Sequence, residues 1–430
     1  MPQRQYNKEQ RRVAKSNHTI TLPISLAHYQ PLLTDRVGFR RWLDQMITQY
    51  PELFPDAISA GYILHDILPA SKKLAGGRFR RIKLKQAQAQ GQAPVFSIVS
   101  SEVLPYRVGY TTDVEKALYL RRFGVPFWGL TYVFGRDDQY WYRLSAALGR
   151  YEIVSTTLKD PTRLPSDVLA DEKHVPFNGE MAYLAMTVAH DCVFGVSLAL
   201  QADEAALQTA YGRFQQEAQH LDPHYAPQTV NTDGGRATQK AWRNLFPLIV
   251  ILECFLHAWL KIRERCSKQW QTHFPEIQRQ VWAVYQAKDA PSLRQRAAEL
   301  LTWAQATLSG TALEAIQKLC ANTARFEATF AHPTAYRTSN MLDRHMQPLA
   351  RWLAMARAFH GDWVSAELQS RSWALCHNFL PYCPRAASAQ NFQSPVQRLN
   401  GYVYHDNWLH NLLIATSAVG CTLNHRKRQN

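Results

Sequence analysis

The stretch from Pro165 to Leu252 constrains the fold of this chain more than any other, because its elements follow one another in an order that few sheets can accommodate. Val168-Leu169-Ala170-Asp171 predicts a short first strand, and Met181–Ala189 with Cys192–Leu200 predicts a hairpin. Leu207, Ala210, Tyr211, Phe214, Ala218 and Leu221 then recur on one face of a helix. Thr229–Asp233 predicts a strand that ends in Asp-Gly-Gly, and Ala237–Leu245 a short helix. Leu248-Ile249-Val250-Ile251-Leu252 is an unbroken apolar run, expected of a strand buried on both faces. Three strands, a helix, a strand, a helix and a strand describe a mixed α/β sheet.

The flanking segments read differently. Phe255 to Phe330 is helical almost throughout, with Leu300, Leu301, Ala304 and Leu308 among its apolar positions, and the chain from Ser339 onward is helical again. Near the start, Phe39, Trp42, Leu43, Met46 and Ile47 mark an amphipathic helix bounded by Pro51 and Pro55. The basic run from Gly76 to Lys85 pairs in pattern with Val95-Phe96-Ser97-Ile98-Val99 across a Gln/Ala/Gly linker, which predicts a basic hairpin. Asp113–Arg122, Pro126–Val133 and Asp137–Leu148 have the spacing of a helix-turn-helix unit, its last turn at Phe134-Gly135-Arg136. No internal repeat is visible.

With 49 Lys and Arg against 34 Asp and Glu, the 430-residue chain carries a formal charge of +15, and 46% hydrophobic residues supply packed cores. That balance points to an anionic partner, nucleic acid first. The best apolar stretch, Phe246 to Leu260, is broken by Glu253 and His257, so no spanning helix is expected. Met1 to Arg12 lacks the apolar segment of a secretory signal, and the seven cysteines form no CxxC pair. The reading is a cytoplasmic protein with reduced thiols.

Three carboxylates can meet at such a sheet. Asp171 ends the first expected strand and Asp233 the fourth, and neighbouring parallel strands bring their carboxyl ends side by side, where ligands bind in open sheets. A third acid is expected from a helix beyond the helical stretch: Asp343, placed in its first turns if Ser339 caps it, with Pro348 expected to kink or end that helix. Glu253, at the end of the last strand, is the alternative third ligand, with Glu264 after it. Three carboxylates without a thiolate or imidazole cluster make an all-oxygen site that suits Mg²⁺ or Mn²⁺. Two such ions roughly 4 Å apart activate an attacking oxygen and stabilise the leaving oxygen in an in-line displacement at phosphorus. The attacker is water in hydrolysis and a DNA 3′-hydroxyl in strand transfer.

Ala170-Asp171-Glu172-Lys173-His174, Val230-Asn231-Thr232-Asp233-Gly234-Gly235, Phe255-Leu256-His257 with Leu260-Lys261-Ile262-Arg263, and Thr338-Ser339-Asn340-Met341-Leu342-Asp343-Arg344 resemble segments of bacterial insertion-sequence transposases of the DDE/D class. The resemblance runs from about Val114 to Cys421 and includes Trp373-Ala374-Leu375 with Asn378-Phe379, and Leu399-Asn400-Gly401 to Trp408-Leu409. It implies an α/β, ribonuclease H-like mixed sheet with a large all-α insertion, as in Mutator-like and hAT relatives, preceded by a mainly helical DNA-binding region. The implied boundaries are 1–110 for the N-terminal helical/β DNA-binding region, 111–160 for the helix-turn-helix, 161–253 with 336–430 for the catalytic domain, and 254–335 for the insertion. It further implies two Mg²⁺ or Mn²⁺ ions on Asp171, Asp233 and Asp343, and double-stranded DNA as partner, both as terminal inverted repeats and as target. A homodimer on DNA and a place in the bacterial nucleoid follow from the same likeness, and a domesticated, non-catalytic DNA-binding regulator is the alternative. Most members of the wider class carry Glu where this chain offers Asp343.

For DNA contact, Arg78, Arg80, Arg81, Lys83 and Lys85 are dense enough to meet backbone phosphate, and Gln139, Tyr140 and Arg143 are groove-facing candidates with Arg136 beside them for phosphate. The competing expectation is a three-helix packing unit with Tyr140 and Trp141 in its core. Asp-Gly-Gly is also an ordinary turn sequence, and an acid at position 343 also suits a helix start. Cys254 and His257, one turn apart, could be half of a metal site with Cys376, His377 or Cys383, but no second pair has ligand spacing, so they are expected to be a packed thiol and a satisfied imidazole.

Overall fold

The computed structural model describes residues 17–74, 77–85, 93–105, 108–266, 270–356, 359 and 361–420. Gly76, the Gln/Ala/Gly linker at 86–92, Cys421 and the basic tails at Met1–Arg12 and His425–Arg428 lie outside the described residues. The protein is mixed α/β, with two mixed sheets.

The first sheet is built from β1 (Thr19–Leu22), β2 (Tyr62–Ile67), β3 (Arg80–Leu84) and β4 (Val95–Ser100), with α1 (Leu26–Leu32) and α2 (Arg36–Gln49) between β1 and β2. Its order is β1-β4-β3-β2, with β1 parallel to β4 and the other pairs antiparallel. The basic hairpin is present as β3 and β4, but the region is a four-stranded sheet rather than mainly helical. The two unexpected strands escape a hydrophobic count because β1 has four residues and β2 interrupts its alternation with His65 and Asp66. Helix α2 starts where Asp35 accepts the N–H groups of Val37 and Gly38, and it buries Phe39 and Leu43 against the sheet.

Helices α3 (Glu115–Arg122), α4 (Phe127–Phe134) and α5 (Asp138–Leu148) match the expected trio within two residues at each end. Asp137 caps α5 by accepting the Tyr140 N–H, after a turn in which Gly135 and Arg136 both take positive φ. Leu118, Leu130, Trp141 and Leu144 join the same core as the larger sheet, so Trp141 is an interior residue. A short α6 (Ile153–Thr157) then leads into that sheet.

The larger sheet comprises β5 (Asp167–Phe177), β6 (Glu180–Ala189), β7 (Cys192–Ala199), β8 (Thr229–Thr232) and β9 (Val250–Glu253). Helix α7 (Glu204–Leu221) precedes β8, and α8 (Arg236–Leu245) precedes β9. The order is β7-β6-β5-β8-β9, with β5, β8 and β9 parallel and β6 and β7 antiparallel to their neighbours. Two expectations need correction. The first strand has 11 residues rather than four, so Asp171 lies inside it; the polar run Glu172-Lys173-His174 conceals its second half, which pairs with β6 as far as Phe177. The run Leu248 to Leu252 is not a strand buried on both faces: Leu248 and Ile249 precede β9, which is the edge strand, with Val250 and Ile251 half-buried and Leu252 buried. A β-branched run fits an edge strand as well as a central one.

Side-chain alternation sorts the sheet into two faces. Val168, Ala170, Ala185 and Phe194 pack with Tyr211, Phe214 and Trp242 of α7 and α8. Leu169, Met186, Val193 and Val196 pack the other way, against Leu342 and Leu349 of α14 (Asn340–Ala356) and Trp373 and Leu375 of α15 (Trp363–Phe379). Between β9 and α14 run five described helices, α9 (Phe255–Cys266), α10 (Phe274–Tyr285), α11 (Ala290–Thr307), α12 (Gly310–Ala321) and α13 (Thr323–Ala331). They bury Trp259, Ile262, Val281, Leu300, Ile316 and Phe326 in a core of their own. Helix α14 runs on through Pro348 instead of ending there, because Leu342, Leu349 and Trp352, buried on either side of the proline, hold both halves to the core. Helices α16 (Pro384–Gln390), α17 (Pro395–Asn400) and α18 (Trp408–Ala415) complete the chain.

Helix α15 is buried along nearly its whole length, and it meets the end of α5 backbone to backbone at Gly149. A Cβ on Gly149 would overlap the Leu368 carbonyl oxygen and lie 2.9 Å from the Ser372 nitrogen. Backbone atoms cannot rotate away, so Gly149→Ala is expected to cost at least the ~1–3 kcal/mol of overpacking. Gly401→Ala, where the added carbon meets nothing within 4 Å and only the left-handed backbone is strained, is expected to cost roughly 1 kcal/mol. Thermal melting of the two variants checks the order.

The C-terminal segment fastens the small sheet to the rest. The Ser417 hydroxyl accepts the Thr21 N–H and donates to the Thr21 carbonyl, both at 2.9 Å, while the Lys159 ammonium donates to the Ser417 carbonyl at 3.2 Å. Burial pushes the Lys159 ammonium down to about 7 despite the charges of Glu52 and Glu152. Below that pH both folded and unfolded chains hold the proton, and the full cost of burying the charge is present. Between it and the ordinary lysine range the unfolded chain holds more protons, so stability rises with pH. Lys159→Met is therefore expected to be more stable than wild type at pH 6.5, by an amount that shrinks toward pH 10, as measured by urea denaturation at both values.

Candidate metal centre

The carboxyl end of the parallel strands gathers the acids. Leu169 is paired with Asn231, and two residues beyond that pair come Asp171 within β5 and Asp233 just past β8, close enough for the Asp233 charge to act on Asp171. Asp233 follows the last residue of β8, and its Oδ1 accepts the Gly235 N–H at 2.9 Å in the turn that starts α8. Gly234 takes φ +95°, and a Cβ there would lie 2.8 Å from Glu253 Oε1. Only glycine suits both demands.

Asp343 enters from the first turn of α14. Its N–H donates to the Ser339 carbonyl at 2.9 Å, and the Ser339 hydroxyl donates to Asp343 Oδ2 at 3.1 Å. Ser339 is itself held by Cys254, whose Sγ lies 3.1 Å from its N–H and 3.2 Å from its hydroxyl. One turn along α9, His257 Nδ1 lies 3.5 Å from Ser339 Oγ. Asp171, His257 and Asp343 each offer one ligand atom, and the three atoms lie within 4.8 Å of one another.

Electrostatics mark the same place. Burial, and then the charge of Asp233, push the Asp171 carboxyl up to about 7. Burial also raises Glu172, whose Oε1 accepts the Tyr211 and Thr238 hydroxyls at 2.7 and 2.9 Å. A hydrogen bond to Cys254 raises His257 to about 9, with the charges of Cys254, Asp171 and Asp343 adding to it. Burial pushes the Cys254 thiol up, but its bonds to His257 and Ser339 outweigh that and leave it below its usual range. A buried carboxyl that resists ionisation, with a second acid's charge beside it, is relieved by a divalent cation, so Asp171 and its surroundings fit such an ion.

Of the expected triad, Asp171 and Asp343 come together at one end of the sheet, and Asp233 is near enough to Asp171 for its charge to act on it. His257, expected to be a satisfied imidazole, is bonded to Cys254 and lies beside Ser339, and its ring also comes near Asp171 and Asp343. A Cys-x-x-His pair placed directly after the last parallel strand was the available signal. The other members of the imagined cysteine and histidine site are elsewhere: His377 Nδ1 is bonded to Arg122 at 2.7 Å, and Cys383 is exposed. Glu253 is ion-paired with Arg325, and Glu264 lies exposed on α9.

Among the expected DNA contacts, Arg80 is 6% exposed, bonded to the Leu33 carbonyl at 3.0 Å and stacked over Phe39, so it is a structural cation. The Arg81 guanidinium is matched by Asp66 through two bonds, one from Nε at 2.6 Å. Arg78 is exposed and Lys83 half-buried. Arg136, Gln139 and Arg143 are exposed, whereas Tyr140 is half-buried beneath the Arg136 guanidinium. No protein-family model matches the chain, and no match is found among the curated proteins.

Proposed function

We propose that this protein is a DNA transposase whose larger sheet is a ribonuclease H-like catalytic domain interrupted by α9–α13 as an all-α insertion. The observation that carries the reading is the meeting of Asp171 from the first strand with Asp343 from a helix beyond the insertion, while the charge of Asp233, just past the fourth strand, acts on Asp171. The strand order, with two parallel strands added beside the first of an antiparallel trio, supports it. Asp171, Asp343 and His257 would hold one Mg²⁺ or Mn²⁺, and Asp171 with Asp233 a second. A bound divalent ion there lowers the pKa of an attacking hydroxyl and draws charge from the leaving oxygen in displacement at phosphorus.

The chain's own residues do the rest. Ser339 fixes the Asp343 carboxylate by hydrogen bond, and Cys254 fixes Ser339. Gly234 and Gly235 leave room at the start of α8, where N–H groups and the exposed Arg236 favour a phosphate. Lys261 and Arg344, exposed next to His257 and Asp343, add positive charge along the path of a DNA backbone. The helix-turn-helix reading of α3–α5 assigns Arg136, Gln139 and Arg143 to the element ends. A pair of protomers on two element ends, in the bacterial nucleoid, belongs to the same proposal.

The test is an assay in Mg²⁺ with DNA carrying the gene's own flanking sequences, comparing wild type with Asp233→Asn. Excision or joining products from wild type alone are expected. Binding without cleavage by either protein would replace the reading with a DNA-binding regulator, and cleavage by both would remove Asp233 from the chemistry.

A further inference from the structure

We propose that Asp191, on the turn between β6 and β7, is a positioning residue for Asp343, an inference that rests on the metal-centre reading above. Asp343 reaches the site on a helix that follows five others, so strand connectivity alone does not set where its first turn lies. Ser339 anchors that turn toward Cys254 on one side. The β6–β7 turn anchors it on the other.

His190 and Asp191 take φ of 50° and 62°, which lifts the turn against α14 and the segment before it. The His190 N–H donates to the Tyr336 hydroxyl at 3.0 Å, and the Asp191 N–H donates to Met341 Sδ at 3.3 Å. The Asp191 carboxylate, 10% exposed, then receives Arg344 at 3.4 Å on Oδ1 and Arg398 at 2.6 Å on Oδ2. His345 Nε2 lies 4.0 Å from Oδ1 and the Tyr382 hydroxyl 3.5 Å from Oδ2. Met341, Arg344 and His345 bracket Asp343 in the sequence, so the turn grips the helix on both sides of the ligand. It also does so from the right element: β6 pairs with β5, and Met186, five residues before Asp191, is the partner of Asp171. One hairpin therefore carries the neighbour of Asp171 at one point and the clamp on the helix of Asp343 at another. Because Asp191 is bound to Arg344, Arg398 and Met341 rather than to the three ligand atoms, its effect passes through the position of α14.

Asp191→Asn isolates this role, since asparagine tolerates positive φ and keeps the backbone bonds while losing the charge. Mn²⁺ binding to the full-length, metal-free protein is followed by electron paramagnetic resonance up to millimolar concentration. Residues that orient metal ligands are worth about 10–100-fold in affinity. The expected result is a roughly tenfold loss in wild type and again in a His257→Ala background, but less than about twofold in an Asp343→Asn background, by the logic of a double-mutant cycle. Arg398→Met, which removes the other side of the clamp, is expected to follow the same pattern and serves if Asp191→Asn fails to fold. An equal loss in all three backgrounds, or none in wild type, overturns the proposal alone. Absence of Mn²⁺ binding by wild type overturns the metal-centre reading and this inference with it.

Discussion

Asp233→Asn is expected to reduce Mg²⁺-dependent cleavage of element-end DNA by at least about 10³-fold, close to 4 kcal/mol of barrier at 1.36 kcal/mol per tenfold. The exchange is nearly isosteric, so the turn through Gly234 and Gly235 can persist with the amide oxygen in place of Oδ1. What disappears is one negative charge beside Asp171. Asp171→Asn and Asp343→Asn are expected to be as inactive, and the three losses should not add, because residues that act as one unit fail together. A stability measurement separates this from damage to the fold. Burial and Asp233 hold the Asp171 carboxyl at about 7, so the folded chain binds more protons than the unfolded one between the ordinary carboxylate range and pH 7. Stability of the metal-free protein is lost across that window as pH rises, the reverse of a salt-bridged aspartate. Asp171→Asn should therefore melt higher than wild type at pH 8 and near wild type at pH 4.5. Mn²⁺ should raise the melting temperature of wild type and leave Asp171→Asn nearly unchanged; a variant that melts lower at both pH values would point to a structural Asp171.

Much of the larger sheet was legible because hydrophobic periodicity there changes cleanly from two to 3.6 and back, and Asp233 announced itself by standing between a strand and two glycines. Asp343 was legible as the first acid of a helix whose start is marked by Ser339. The length of β5 was not, since Glu172, Lys173 and His174 are polar residues on a strand paired along β6, and pairing leaves no mark on composition. The neighbours of His257 were hidden for a related reason: one imidazole after a strand looks the same whether it faces a core or two carboxylates, and only the return of α14 places Asp343 beside it. Arg80 looked like part of a phosphate-binding run with Arg78 and Arg81, yet strand alternation turns it inward against Phe39 of α2 and Arg81 outward to Asp66. The edge position of β9 depends on which strand pairs with β8, a long-range fact that the apolar run Leu248 to Leu252 does not carry.

Arg371→Met is expected to destabilise the protein more than any other single substitution away from the acids, by about 3–5 kcal/mol. Arg371 and Glu217 are 1% and 2% exposed and meet at 2.6 Å between α15 and α7. Burial pushes the Glu217 carboxyl up, and the Arg371 guanidinium works against it, so removing the guanidinium leaves a buried acid without water and without its ion-pair partner. The same side chain donates to the Gly149 carbonyl at 2.9 Å and the Tyr151 carbonyl at 2.8 Å, closing the end of α5. Glu217 in turn accepts the N–H groups of Ile153 and Val154 at 2.5 and 3.3 Å, supplying from a distant helix the cap that α6 lacks in its own sequence. Glu217→Met should thus cost a similar amount by leaving a buried cation and two orphaned donors. The double variant should cost clearly less than the sum, because a lone buried charge is worse than none. It should still fall short of wild type, because the carbonyls of residues 149 and 151 and the amides of 153 and 154 remain without partners. Urea denaturation followed by tryptophan fluorescence reads all three variants. Strictly additive losses would show that the pair contributes through its separate backbone bonds and not through its charges.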